Sequence, residues 1–299
     1  MIKIIKLWDR NPFCLFLNDI RVKYFSKKMA ASVERLREKW LNSENQLFKQ
    51  VNIETISLCN NDCSFCPVST VNNKRPVVYM EDSLFKKIID NLADIDFKGR
   101  IMPDINNEPL LDEKIFQRIN YIREKLGDNV TIFIETNGKL LTLEKVYKFF
   151  EAGIDQIYID DYGDNIIKYV FFNQNIRKIF KKIDINKITQ NVNLKISHRF
   201  KKQLLSDRSG KVKGRKISPT DKYKFCDFPF YQLNINPRGE VFICSRDSYW
   251  DAITGSVKNN KLEEIWFSEK YTTIRKTLLN NRRILPLCQR CSSNGSITI

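Results

Sequence analysis

Between residues 51 and 198 the chain repeats one pattern, a short apolar run followed by a turn and a longer amphipathic stretch. Val51 to Leu58 alternates and reads as a strand. In 82–95, Leu84, Ile88, Leu92 and Ile95 share one face of a helix. Further strands are expected at 100–105, 130–135, 156–160 and 192–197, with helices at 115–126, 143–152 and 166–182 between them. Gly127 and Gly153 stand where helix C-termini need them. Repeated β–α units with short connections predict an α/β fold with a parallel sheet and crossover helices. Ligands of such sheets gather beyond the C-terminal strand ends. The chemically versatile residues fall there: Cys59 after the first strand, Asn106 to Glu108 after the second, Asn137 after the third, Asp160 after the fourth, and His198 and Arg199 after the fifth.

Seven of the eight cysteines form two groups, and Cys14 stands apart as a structural thiol expected to be buried. Residues 1–17 carry early charges, only a short apolar patch and no small-residue cleavage site, so no secretory signal is expected. Clustered cysteines in a long chain without such a signal point to metal or redox chemistry in the cytoplasm rather than to disulfides. No apolar run approaches the roughly 18 residues of a membrane span.

The first group, Cys59-x3-Cys63-x2-Cys66, occupies the loop after the first strand. Three adjacent thiolates suit a soft metal or an iron–sulfur cluster, whereas zinc usually takes four ligands at another spacing. Three cysteines on a four-iron cubane leave one iron open to another ligand. This motif, with Phe65 before its last cysteine, resembles the signature of the radical S-adenosylmethionine (SAM) superfamily. The resemblance implies a partial TIM-like (β/α) barrel. It also implies a 4Fe–4S cluster that binds SAM and a 5′-deoxyadenosyl radical that abstracts hydrogen from substrate. Asn106-Asn107-Glu108-Pro109 stands where the superfamily carries Gly-Gly-Glu-Pro against the SAM amino group. Glu108 is kept and both glycines are replaced. The resemblance further places Asn137 near the active site and Asp160 toward the SAM ribose. His198 faces either the site or the surface.

The second group is Cys226-x17-Cys244-x43-Cys288-x2-Cys291. Four thiolates saturate either a structural zinc or an auxiliary 4Fe–4S cluster. The flanking Cys226-Asp-Phe-Pro-Phe-Tyr, Asn236-Pro-Arg-Gly-Glu-Val-Phe-Ile-Cys244, Gly255-Ser-Val and Glu264-Ile-Trp266 resemble the SPASM/twitch extension of radical SAM enzymes. This implies a small C-terminal α+β domain with one auxiliary cluster, as in twitch-type aminocyclitol dehydrogenases. A hairpin is expected from strands 231–236 and 240–244, with helices at 262–267 and 271–279. Arg208, in an Arg-Ser-Gly turn similar to an Asn-Arg-x-Gly element of related proteins, is expected to face substrate or the auxiliary cluster. The expected domains are an N-terminal extension over 1–50 with an amphipathic helix at 28–41, the barrel over 51–199, a linker over 200–225 and the cluster domain over 226–299.

An auxiliary cluster is useful when an electron must leave the substrate. The leading expectation is oxidation of a secondary alcohol on a sugar, aminocyclitol or nucleotide-linked sugar, with Asp160, Asp161 and His198 as positional candidates for the base. Maturation of a short ribosomal peptide is the first alternative, weakened because residues 1–50 are too short for a leader-binding winged-helix domain. The formal charge of +16 raises nucleic acid as a partner. The aromatics, however, fall in expected strands and helix faces rather than among basic patches, which argues against it. The same charge suits an acidic electron donor such as a flavodoxin or ferredoxin.

Overall fold

The computed structural model describes residues 3–6, 35, 38, 46–63, 66–70, 72–161, 174–179, 181–184, 193–198, 208–212, 226–289 and 291. Cys14, Phe65, Arg199 and most of the expected helix at 28–41 lie outside the described residues.

The described strands form one nine-stranded sheet. Its barrel-like part is β1 (Lys3–Lys6), β2 (Gln50–Ile53), β3 (Arg100–Met102), β4 (Thr131–Thr136), β5 (Gln156–Asp161) and β6 (Asn193–His198). Every neighbouring pair from β1 through β6, β5, β4 and β3 to β2 is parallel. Among the described residues, α1 (Asp82–Asp94), α2 (Ile115–Leu126) and α3 (Leu143–Glu151) cross between them, and 174–179 between β5 and β6 is helical as well. Each is amphipathic at helical period. Leu84, Phe85, Ile88, Ile89 and Leu92 are the buried face of α1, and Val146, Phe149 and Phe150 that of α3. They pack on Val51, Ile53, Ile101, Ile132, Ile134, Ile157 and Ile159, which alternate along β2 to β5 as one face of a pleated sheet requires. The resulting open α/β sheet is the expected partial barrel.

The other face is mostly polar, with Met102 and Phe133 as its apolar members. Gln50, Asn52, Arg100, Glu135, Gln156, Tyr158 and Asp160 occupy the intervening positions of the same strands. Buried amides are tolerable there only because they bond to one another. Gln50 donates to Asn52 at 2.8 Å, and Asn52 donates to Asn234 at 2.8 Å.

The C-terminal segment continues this sheet. Following the short helix α4 (Phe228–Tyr231), β7 (Gln232–Ile235) pairs in parallel with β2 on the side away from β3. β8 (Glu240–Phe242) and β9 (Ile253–Ser256) then add antiparallel. The β7–β8 turn closes through the Asn236 side chain, which accepts from the Arg238 and Glu240 backbone N–H groups at 3.0 Å each. Gly239 in that turn has φ of 81°, and a Cβ there would meet Leu84 and Val257 at 3.1 Å. Helices α5 (Leu262–Trp266) and α6 (Glu269–Asn281) complete the segment, with Ser268 capping α6 by accepting from Tyr271 N–H.

Two strands were not expected from sequence. β1 pairs with β6 at the far edge, although it lies in the extension given only a helix. β9 reads Ile-Thr-Gly-Ser, too weak a strand signal by itself. Its Gly255 is held because a Cβ would approach Ile265 of α5 to 2.9 Å. Conversely, the first strand is shorter than expected. After Ile53 the chain peels away and pairs with 78–80 instead, through Ser57 N–H to Val78 O at 3.0 Å and Met80 N–H to Thr55 O at 2.8 Å.

Candidate active site

The loop after β2 carries Cys59, Cys63 and Cys66, all part-exposed. Cys66 N–H donates to Cys63 O at 3.0 Å, which folds the C-x2-C step into a turn. Burial, with neighbouring negative charge, pushes the Cys59 thiol up to about 11 and the Cys63 thiol up to about 12. For Cys59 the charges are Glu108 and Cys66, and for Cys63 they are Cys66, Cys59 and Asp62. Thiols assembled this way are poor thiolates alone, and a bound metal reverses that cost.

The ends of β3 and β4 brace the loop. Glu108 is 1% exposed. Its carboxylate accepts from Thr136 Oγ1 at 2.6 Å, Asn137 N–H at 2.8 Å and Leu110 N–H at 3.2 Å. Burial raises its pKa while these bonds oppose the shift. Asn137 donates to the Asn60 side chain at 2.8 Å and also contacts the Cys59 thiol. The Asn107 side chain closes a local turn by accepting from Ile105 N–H at 2.9 Å, and its Nδ2 is buried without a partner. That orphaned donor suits an acceptor oxygen on a bound cofactor. Asn106 donates to Ser245 O at 3.1 Å and accepts from Arg208 Nη1 at 2.9 Å, so it joins the barrel to the C-terminal segment. Asp160 is buried on the polar face at the end of β5. Asp161 and His198 are paired in register between β5 and β6.

The second thiol group is assembled by α4, β8 and the C-terminal turn. Cys226, Cys244 and Cys291 are buried and Cys288 part-exposed. Burial pushes Cys226 and Cys288 up to about 12 and Cys244 well above its ordinary value. Charge from the other thiols of the group adds to each shift, so the four share one space. Arg282, buried beside them, donates to Cys291 O at 2.9 Å, and Arg283 donates to Gln289 O at 2.7 Å. Phe228, Ile243 and Leu287 line the apolar side. Among the described residues, no three His, Cys, Asp or Glu side chains gather closely enough for a single ion. One zinc at a Zn–S distance of about 2.3 Å would draw its sulfurs to roughly 3.8 Å of one another. Four thiolates that share one space can hold either a zinc or an iron–sulfur cluster.

Sequence reasoning missed the charges between the two groups. Arg75 donates to Glu54 at 2.6 Å, and Trp250 Nε1 donates to the same carboxylate at 2.9 Å. Asp104, 2% exposed, faces only the Glu135 N–H at 3.3 Å. Burial, then the Glu135, Glu108 and Glu54 charges, hold its carboxyl well above the usual carboxylate range. Arg246, two residues past Cys244, feels Arg208, Cys244, Cys291 and Glu135. An acid inside an apolar strand (Glu135) and an arginine close after a cysteine of the second group were the available sequence signals.

Asp104 yields a pH prediction. Its native pKa is raised, so its contribution to stability is complete below the unfolded value of about 3.9 and is lost as pH rises through the native value. The advantage of Asp104→Asn over wild type should therefore be smallest below about pH 4 and should grow as pH rises, by at least about 1 kcal/mol at pH 8, in anaerobic urea unfolding. A difference between variant and wild type that does not change with pH would refute the raised carboxyl.

A parallel sheet with helices on one face, a three-cysteine loop after β2 and a second four-cysteine group define an iron–sulfur enzyme of the SAM-cleaving class. The radical SAM superfamily model matches residues 53–202 and the SPASM iron–sulfur cluster-binding domain matches 226–292. The chain belongs to the radical SAM superfamily: it is a SAM-dependent redox enzyme that uses a 4Fe–4S cluster and carries an auxiliary iron–sulfur domain. It is 25% identical over 254 residues to the S-adenosyl-L-methionine-dependent 2-deoxy-scyllo-inosamine dehydrogenase of Niallia circulans, covering 83% of this chain and 94% of the relative. Among solved structures it resembles BtrN in complex with AdoMet and 2-DOIA, with TM-score 0.69, 23% identity, and 83% and 94% of the two chains covered. It also resembles anSMEcpe with bound AdoMet, at TM-score 0.56, 11% identity, and 79% and 81% coverage.

Proposed function

We propose that the protein oxidises a secondary alcohol of a sugar or cyclitol to the ketone. The observation that carries this reading is that both thiol groups flank one polar interior. Tyr249, five residues past Cys244, donates to Pro67 O beside Cys66 at 3.1 Å, and Asn106 bonds both Arg208 and Ser245. The dehydrogenase relative supports it.

In this reading Cys59, Cys63 and Cys66 hold the SAM-binding cluster, and Cys226, Cys244, Cys288 and Cys291 hold the auxiliary one. Phe65, Asn107, Glu108, Asn137 and Asp160 serve SAM, and Arg208 faces the substrate. When bound, SAM and its cluster supply a hydrogen-abstracting radical, and the auxiliary cluster accepts an electron. Ketone formation removes one hydrogen atom from carbon, one proton from oxygen and one electron. The chain's own share is to orient the ring and take the proton. Glu135, open to the interior, and Asp160, buried at its end, are the acids placed for that. Glu108, by contrast, is occupied by Thr136, Asn137 and Leu110 and acts as a brace. The domain division is a barrel over 51–199 and a cluster domain over 226–299, in a cytoplasmic protein. A flavodoxin- or ferredoxin-like donor would be steered by the +16 charge.

The test is anaerobic incubation with SAM, a reductant and a panel of ring alcohols and short peptides. Wild type should form 5′-deoxyadenosine and a ketone together. A Cys226→Ala/Cys244→Ala variant should still form 5′-deoxyadenosine while the ketone disappears. Ketone formation undiminished in that variant, or turnover confined to peptides, would overturn the reading.

A further inference from the structure

Two arginines are tied to Asn106, Arg208 directly and Arg246 through the neighbouring Ser245, and their charges oppose one another while the Cys244, Cys291 and Glu135 charges favour that of Arg246. Arg208 sits in a turn whose residues Arg208, Ser209 and Gly210 have φ of 49°, 59° and 78°. Two non-glycine residues in the left-handed region cost about 1–2 kcal/mol each. The turn is held from outside at both ends. Arg208 Nη1 donates to Asn106, and Lys211 ion-pairs with Asp251 at 2.5 Å and lies 5.0 Å from the Tyr249 ring centroid. Arg246 follows Cys244, whose sulfur accepts from the Arg246 N–H at 3.3 Å. Its guanidinium stands 5.8 Å from the Phe228 ring centroid, and its Nε is buried with no hydrogen-bond partner.

Asn106 grips both segments with one side chain, accepting from Arg208 and donating to Ser245 O next to Arg246. It stands where the superfamily has a glycine, which could do neither. Like charges brought together favour an anion between them. A planar donor fork such as Arg246 matches a carboxylate or phosphate.

We propose that Arg246, with Arg208, forms the anion-binding end of the substrate pocket and that Asn106 holds the two in register. The substrate is then an acidic ring alcohol, such as a sugar or cyclitol phosphate or a uronic acid, and not an amine. This rests on the ring-oxidation reading above. A protonated amino group would meet two positive charges at the place where a carboxylate or phosphate gains two donors.

The test measures anaerobic binding to the reconstituted full-length protein with SAM present. Probes are myo-inositol 1-phosphate, glucuronate, myo-inositol, 2-deoxy-scyllo-inosamine and inorganic phosphate. At least one acidic ring should bind about tenfold or more tightly than myo-inositol, and inorganic phosphate should compete with it. Phosphate and carboxylate probes then separate the two anion classes. Arg246→Gln should erase the preference at unchanged iron content and SAM affinity, Arg246→Lys should retain part of it, and Asn106→Gly should weaken it. An aminocyclitol bound as tightly as the acidic rings would overturn the proposal. So would a preference unmoved by Arg246→Gln, or a variant that loses SAM rather than the ring, which would assign the arginines to the SAM carboxylate. Failure of the ring-oxidation reading is distinguishable. It would appear as no ketone from any ring alcohol while the Arg246-dependent binding difference persisted.

Discussion

Replacing Cys59, Cys63 and Cys66 together with Ala should abolish 5′-deoxyadenosine formation and halve the bound iron. Two four-iron clusters give about eight irons in the wild type and about four in the variant. The loss of activity should be complete because the three thiols share one cluster site and no described neighbour offers a replacement thiol. The remaining iron should sit in the second group, whose four cysteines are assembled by separate elements, α4, β8 and the C-terminal turn. Metal analysis with SAM cleavage followed in parallel decides the matter. About four irons plus one zinc in the wild type would remove the auxiliary cluster and the dehydrogenase reading with it. Residual SAM cleavage in the variant would show that the motif is not the cluster site.

Arg75→Ala should be the most destabilising single substitution in the barrel, at about 3–5 kcal/mol in anaerobic urea unfolding. Arg75 is 8% exposed. It donates to Glu54 at 2.6 Å, to Asn106 O at 2.8 Å and to Ser57 O at 3.2 Å, and it stacks 4.9 Å from the Trp250 ring centroid. Burial pushes the Glu54 carboxyl up, while Arg75 and the Trp250 N–H pull it back. Removing the guanidinium leaves that carboxylate buried with the Trp250 N–H but no counter-charge and takes the donor from Asn106 O, while Ser57 O keeps the Asn73 side chain. The Glu54→Gln/Arg75→Met double variant removes the stranded charge and should recover at least about 1 kcal/mol of the loss. A loss below about 1 kcal/mol for Arg75→Ala would mean that water replaces the guanidinium and that the network is not a structural tie.

The framework was legible in the sequence because it rests on local rules. Helical periodicity located α1, α2 and α3. Leu84, Ile88 and Leu92 are buried as the pattern selected, whereas Phe85, Ile89 and Arg118 are buried beside the selected stripe and Ile95 falls just past α1 and is part-buried. Both cysteine groups were visible from spacing. The Pro237-Arg238-Gly239 turn was visible from its residues. What escaped was β1 and β9, each four residues with little signal of its own. A strand of that length is stabilised mainly by its neighbour, and sequence does not name the neighbour.

The candidate site divides in the same way. Sequence by itself determined the thiols, the Glu108 position and the strand ends that present them, because ligand spacing and β–α alternation are properties of adjacent residues. Only the tertiary structure decided which charges face one another. Glu54 meets Arg75 and Trp250 across 21 and 196 residues of chain, and Asn106 meets Arg208 across 102. Only the fold could show that Glu108 spends its carboxylate on Thr136 and Asn137, that Asp104 is buried among acids that raise its pKa, and that the Arg246 guanidinium lies against Phe228 beside a thiol. Pairings of that kind are set by sheet register and by the β7–β2 junction, and a side chain's partner across the sheet leaves no trace in its own sequence neighbourhood.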